Sequence, residues 1–159
     1  MQKKVESLRL RRVIWTALAL TIMMIIYAFS SQGTSQSEDI SDRLAGFLHV
    51  EQMDEEVRIS NQPFFAGLTL RKMAHVFLYF LLSFCVYQAM ENWRGRVYLS
   101  VLFCYLYGVL DEVHQYLIGR FARWEDTLID LIGIVLGIGA ALVLPIVTRF
   151  LRERLFQKQ

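Results

Sequence analysis

Between positions 111 and 115 the chain reads Asp111, Glu112, Val113, His114, Gln115, three ionisable side chains and an amide within five residues. Imidazole titrates near neutral pH, and a neighbouring carboxylate orients it or exchanges a proton with it. Asp111, Glu112 and His114 are therefore an inventory for general acid–base chemistry. Cations stand on either side of this run: Arg71 and Lys72 ahead of His75, and Arg120 and Arg123 ahead of Asp126 and Asp130. Such residues hold anionic groups, phosphate or pyrophosphate above all, by charge-assisted hydrogen bonds. On helices, Arg71 and His75, Asp111 and Gln115, and Asp126 and Asp130 are i,i+4 pairs, and Asp111 and His114 an i,i+3 pair, so each pair shares a face.

Two more specialised chemistries find less support. His75, His114, Glu112 and an aspartate would supply metal donors, yet there is no HExxH or paired-cysteine spacing, and neither a metal nor another cofactor is expected. Ser30 or Ser31 beside His75 or His114 would give a nucleophile and its base, yet no GxSxG turn is present.

The elements that must position these groups are membrane spans. The chain is 55% hydrophobic, more than an ordinary soluble domain. Its apolar residues lie in blocks close to the roughly 20 helical residues that cross a bilayer core. Four spans are predicted, at about 13–29, 73–90, 97–117 and 127–147. The first follows Lys3, Lys4, Arg9, Arg11 and Arg12 and lacks a small-x-small cleavage site, so it reads as a retained helix rather than a signal peptide. Residues 30–70 form a polar extracytoplasmic loop with seven acidic residues; Leu44, Phe47 and Leu48 hint at a short amphipathic helix, and Asn61, Pro63 and Gly67 break the chain.

The third span would be too short without Asp111 to Gln115, which places those residues inside the membrane or at its edge. In the fourth, Gly133 and Gly137 have the small-xxx-small spacing of a close helix contact, here a candidate face for homo-oligomers, and Pro145 falls near its end. Cys85 and Cys104 lie mid-block, where a thiol acts as a small hydrophobe.

Orientation follows from the basic residues. Eleven flank the N-terminus, the turn 91–96 and the C-terminal tail, against six on the other side. The positive-inside rule puts both termini in the cytoplasm. The polar helix ends then fall at one level, the outer leaflet. Ionisable groups at that depth are costly and turn toward the bundle interior, where opposite charges pair. The competing reading makes Arg71, Lys72, Arg120 and Arg123 snorkelling anchors, and Tyr79, Tyr105 and Tyr107 lipid-facing or packing aromatics. Three ionisable residues within four positions of a span need more than anchoring.

These residues resemble a known family. The run Phe29, Ser30, Ser31, Gln32 follows the first helix; Arg71, Lys72, Met73, Ala74 and His75 precede Tyr79; Asp111 to Gln115 precede Gly119 and Arg120; Asp126, Asp130, Gly133 and Gly137 complete the pattern. Over about residues 27–137 this is similar to the VanZ-like membrane proteins, and the Asp-Glu-x-His-Gln block is its most specific part. That family is named for a protein conferring resistance to the glycopeptide antibiotic teicoplanin, so the resemblance implies a cell-envelope role without supplying a reaction. The chain departs from the pattern at Ile118, where proline commonly precedes Gly-Arg, and at Asp130, where asparagine is frequent.

The expectation is thus an all-α membrane protein, a four-transmembrane-helix bundle forming one VanZ-like domain over residues 1–159. Its outward polar cleft would recognise, and secondarily modify, an anionic lipid or lipid-linked cell-wall precursor. Lys72 and Arg120 are assigned to the anionic group, His114 with Glu112 or Asp111 to proton transfer, and Gln32, His75, Gln115 and Asp126 to orientation. No nucleic-acid partner is expected. The alternatives are a non-catalytic module acting through partners or membrane properties, and a small proton-linked transporter.

Overall fold

In the computed structural model, which describes residues 2–31, 70–118 and 124–156, the chain forms four helices: α1 (Gln2–Ser30), α2 (Leu70–Ala89), α3 (Arg96–Leu117) and α4 (Trp124–Phe156). All four are long and apolar enough to span a membrane. The expected amphipathic helix at Leu44–Leu48 lies outside the described residues. The 20 and 22 residues of α2 and α3 match a bilayer core closely. At 29 and 33 residues, α1 and α4 run past their expected bounds. The charged flanks are rich in Arg and Lys, good helix formers, so the helices continue through the interface. Pro145 sits inside α4, not at its end. Residues 142–150 are exposed all round, so the kink that proline favours meets no neighbouring helix.

The surface is apolar where a soluble bundle would be polar. Met24, Leu110, Leu117 and Ile146 are each more than half exposed, as lipid-facing residues are. Between α2 and α3 the chain reverses in a tight turn. There Asn92 and Gly95 take φ of 74° and 75°, left-handed values that asparagine and glycine tolerate best. At this end Arg12 Nη2 donates to the Glu91 carbonyl at 3.0 Å, Arg11 lies 3.8 Å from the Glu91 carboxylate, and the Arg96 guanidinium stacks on Tyr87 at 4.2 Å. The basic start of α1 and the α2–α3 turn therefore share one end of the bundle.

α2 packs against all three other helices, most extensively α4. Glycine makes that approach close. A Cβ at Gly133 would run into the Val76 carbonyl, and one at Gly137 into the Phe80 carbonyl and Ser83 Oγ. Ser83 shares its hydroxyl between the carbonyls of Phe80 and, across the seam, Ile134, both at 3.1 Å. The Gly133/Gly137 face expected to receive a second copy is thus filled by α2 of the same chain. The small-residue spacing signalled a close helix partner correctly but not which helix it was.

Around this seam Ile26, Tyr79, Leu82, Cys104 and Ile134 form the main core, with Tyr87, Ile138 and Ala141 as a second cluster toward the turn. Cys85 and Cys104 are buried and free.

Candidate functional site

The polar residues collect at the opposite end of the bundle from the turn. α1 ends there on Ser30 and Ser31, α2 begins there with Lys72 and His75, α3 ends there with Asp111 to Gln115, and α4 begins there with Asp126 and Asp130. Successive helices running in opposite directions bring these ends together, and two networks result.

The first joins α1 to α3. Ser30 Oγ donates to Asp111 Oδ2 at 2.8 Å, while Gln115 Nε2 donates to the same oxygen at 2.9 Å and to Ser30 Oγ at 3.3 Å. This closed triangle is buried: Ser30 is 0% exposed, Asp111 and Gln115 5% each. The i,i+4 spacing of Asp111 and Gln115 does what the sequence implied, and Ser30 is the tertiary partner that spacing could not name. Nearer the surface, Ser31 Oγ lies 3.1 Å from His114 Nε2, and the His114 ring packs on Tyr27 with centroids 4.8 Å apart.

Ser31 Oγ also donates to the Tyr27 carbonyl at 2.7 Å, so the carbonyl and His114 Nε2 compete for one hydroxyl proton, and the direction of the Ser31–His114 contact depends on the imidazole tautomer.

The second network joins α2 to α4. His75 Nδ1 stands 3.6 Å from Asp130 Oδ1, with side chains only 13% and 4% exposed. Tyr79, one turn along α2 from His75, is wholly buried and stacked near it, centroids 6.4 Å apart. This decides against a lipid-facing role for Tyr79. Tyr105 is exposed at 38%, and Tyr107 reaches across to donate to the Met23 carbonyl at 2.7 Å.

Of the residues singled out beforehand, the structure brings Asp111, His114 and Gln115 together on α3. Lys72, His75 and Glu112 lie partly buried at the same end. Gln32 and Arg120 fall outside the described residues, and Asp126 falls on the first turn of α4 with its side chain outside the description. Ser30 and Ser31 had entered only the weakly supported nucleophile reading, and Asp130 had been assigned no role. For Asp130 a signal existed, its i,i+4 relation to Asp126 and its departure from the family's usual asparagine. Among the described residues no group of three or more His, Cys, Asp or Glu side chains is gathered to hold a metal.

Four apolar helices, spanning by length and composition, with a polar cluster at one end of the bundle, define a multi-pass helical membrane protein. The VanZ/LLP1 family model matches residues 15–145, and the chain belongs to that family. The match extends beyond the motif-bearing stretch at both ends, taking in most of α1 and much of α4. Membership fits a cell-envelope protein linked to glycopeptide resistance. No curated protein and no solved structure matches the chain.

Proposed function

We propose that the polar end of the bundle faces outward in the cell membrane and recognises the headgroup of an anionic lipid or a lipid-linked cell-wall precursor, as in teicoplanin-type resistance. One observation carries this reading: all four helices deliver polar residues to the same end of a bundle whose middle is largely apolar. Intramembrane ionisable groups are expensive and are kept where they act on something. The eleven-to-six distribution of basic residues favours cytoplasmic termini and hence the outward orientation.

Within the site, Asp111, Gln115 and Ser30 are sealed and satisfied, which suits a positioning role. His114 is more accessible than these and, with the half-buried Glu112, suits proton exchange with a ligand. Lys72 with Arg120 supplies the positive charge, while His75, Gln32 and Asp126 orient the headgroup.

The test is lipid co-purification. Mass spectrometry of gently extracted protein should find a phosphate-bearing lipid that is depleted strongly in Lys72→Gln and Arg120→Gln. Arg120→Lys should also be impaired, because it keeps the charge but loses the planar fork, whereas Arg123→Lys should be nearly silent. Equal lipid content in all four variants would remove the anionic ligand.

A second reading, a polar network that only fixes helix packing, is favoured by the closure of the Ser30–Asp111–Gln115 triangle. It predicts that site variants lose the protein itself rather than its ligand.

A further inference from the structure

α4 changes character at Pro145. Before it, Leu142, Val143 and Leu144 are consecutive, apolar and exposed, the pattern of a helix with lipid on every side. After it the helix continues to Phe156 and becomes two-sided. In helical register Ile146, Val147 and Phe150 fall within one arc, and Thr148, Arg149, Arg152 and Glu153 within the opposite one. All seven are exposed. Arg154 is the exception, on the apolar side, and its guanidinium lies over the Phe150 ring, 5.1 Å from the centroid.

The switch comes where the bundle ends. Gly137 lies against Phe80, and α2 and α4 both run away from the polar cluster. Ala89, the last residue of α2, is therefore about level with Ile146, each being nine positions further on. Trp93 and Tyr98 at that end are exposed, as aromatics at a bilayer interface are. A straight continuation would carry residues 146–156 about 15 Å past this level, and the apolar arc would leave the hydrocarbon. Pro145 supplies the alternative, since it offers no N–H to the Ala141 carbonyl and loosens the helix where its direction must change. The basic start of α1, with Arg9, Arg11 and Arg12, stands at the same end, which makes it attractive to anionic headgroups and repellent to a second copy of itself.

We propose that residues 146–156 of α4 bend at Pro145 and lie along the membrane surface at the end of the α2–α3 turn, with Ile146, Val147 and Phe150 in the acyl boundary and Arg149 and Arg152 on anionic phospholipid headgroups. This surface is separate from the polar cluster and independent of what that cluster binds.

Single cysteines introduced one at a time in the full-length chain and spin-labelled test this, in phosphatidylcholine vesicles with and without phosphatidylglycerol. Cys85 and Cys104 are buried, and the unaltered chain controls for their labelling. With phosphatidylglycerol present, labels replacing Ile146, Val147 and Phe150 should be relaxed by oxygen, which concentrates in lipid, and labels replacing Thr148 and Arg152 by a water-soluble nickel chelate. For the label at Phe150, the ratio of lipid-bound to released segment should fall about fivefold for each arginine neutralised in Arg149→Gln and Arg152→Gln, and fall likewise without phosphatidylglycerol. Nickel access at every position from Ile146 onward would mean that the helix projects into water. Oxygen access at Thr148 and Arg152 as well would mean that the span simply continues, and shielding of Ile146, Val147 and Phe150 from both reagents that a protein covers them. Each of these overturns the proposal, as does one pattern unchanged by phosphatidylglycerol.

Discussion

Where α2 meets α4, glycines let two backbones approach until the carbonyls of Val76 and Phe80 occupy the places of side chains. Where α1 meets α3, side chains reach across instead: Tyr107 to the Met23 carbonyl at 2.7 Å, Ser30 to Asp111 at 2.8 Å, and Ser31 to His114 at 3.1 Å. Lipid is as apolar as leucine, so neither seam is held by a hydrophobic drive; one relies on close packing and the other on hydrogen bonds. The difference matters for function. A close-packed seam cannot part without losing its contacts, whereas each bond of a polar seam can be exchanged for one to a ligand oxygen at small net cost. The Ser30–Asp111–Gln115 and Ser31–His114 contacts lie along the exchangeable seam, whereas His75 and Asp130 meet in the α2–α4 frame.

The largest effect should come from forcing the tight seam apart. Gly137→Leu meets backbone, which no rotamer avoids, and overpacking costs about 1–3 kcal/mol or more even where side chains can shift. Gly139 is the control, because a Cβ there meets nothing within 4 Å. Membrane abundance should collapse for Gly137→Leu and survive for Gly139→Leu. Equal abundance would mean that the seam is not close-packed.

In the polar seam Asp111→Ala leaves the buried Ser30 hydroxyl and Gln115 amide without their shared acceptor, a loss of about 1–3 kcal/mol. The double variant with Ser30→Ala should cost less than the sum of the two single variants, since both remove the same Ser30–Asp111 bond. Unfolding curves of the two single variants and the double variant measure the coupling, and strict additivity would show that the triangle is not a unit.

These two seams were unequally legible in the sequence. Block length marked all four spans, because a bilayer fixes how much apolar helix is needed, and it left the outer ends of α1 and α4 open because charged flanks extend a helix without extending its apolar run. The Gly133/Gly137 spacing announced a close helix contact, but the same spacing serves a neighbour in the chain or in another copy. Asp111 with Gln115 was readable as a local pair. Ser30 lies 81 positions from Asp111, and such a partnership depends on how the helix ends meet, which no periodicity encodes. Asp130 was visible as an unusual carboxylate, and only the α2–α4 approach shows that His75 is what it faces.

A smaller structural effect is expected above the triangle. His114 is partly exposed and is bonded by Ser31 at the bundle's end, so His114→Ala should leave membrane abundance near normal while abolishing any resistance or envelope phenotype. Glu112→Gln, which keeps the shape and loses the charge, should behave the same way. Loss of the protein in both variants would instead favour the packing-only reading of the cluster.

The smallest effect provides the finest comparison, because each seam contains one hydroxyl bonded across it to a backbone carbonyl. Tyr107 donates to Met23 in the polar seam and Ser83 to Ile134 in the tight one, at 2.7 and 3.1 Å. Deleting either hydroxyl, as Tyr107→Phe or Ser83→Ala, removes an interhelical bond of a kind that averages about 0.6 kcal/mol in membrane proteins, so unfolding curves should move little and by similar amounts. Ligand retention should not move alike. In the tight seam the glycine contacts remain and hold α2 to α4, so Ser83→Ala should leave co-purified lipid unchanged. In the polar seam one of the few ties between α1 and α3 is lost, and the population of separated helices rises about threefold for that energy. If the ligand enters or leaves between α1 and α3, Tyr107→Phe should speed lipid exchange by a similar factor when a labelled lipid is chased from the purified protein. Identical exchange rates in Tyr107→Phe, Ser83→Ala and the unaltered protein would show that the polar seam stays shut and that the ligand reaches the site from the aqueous end alone.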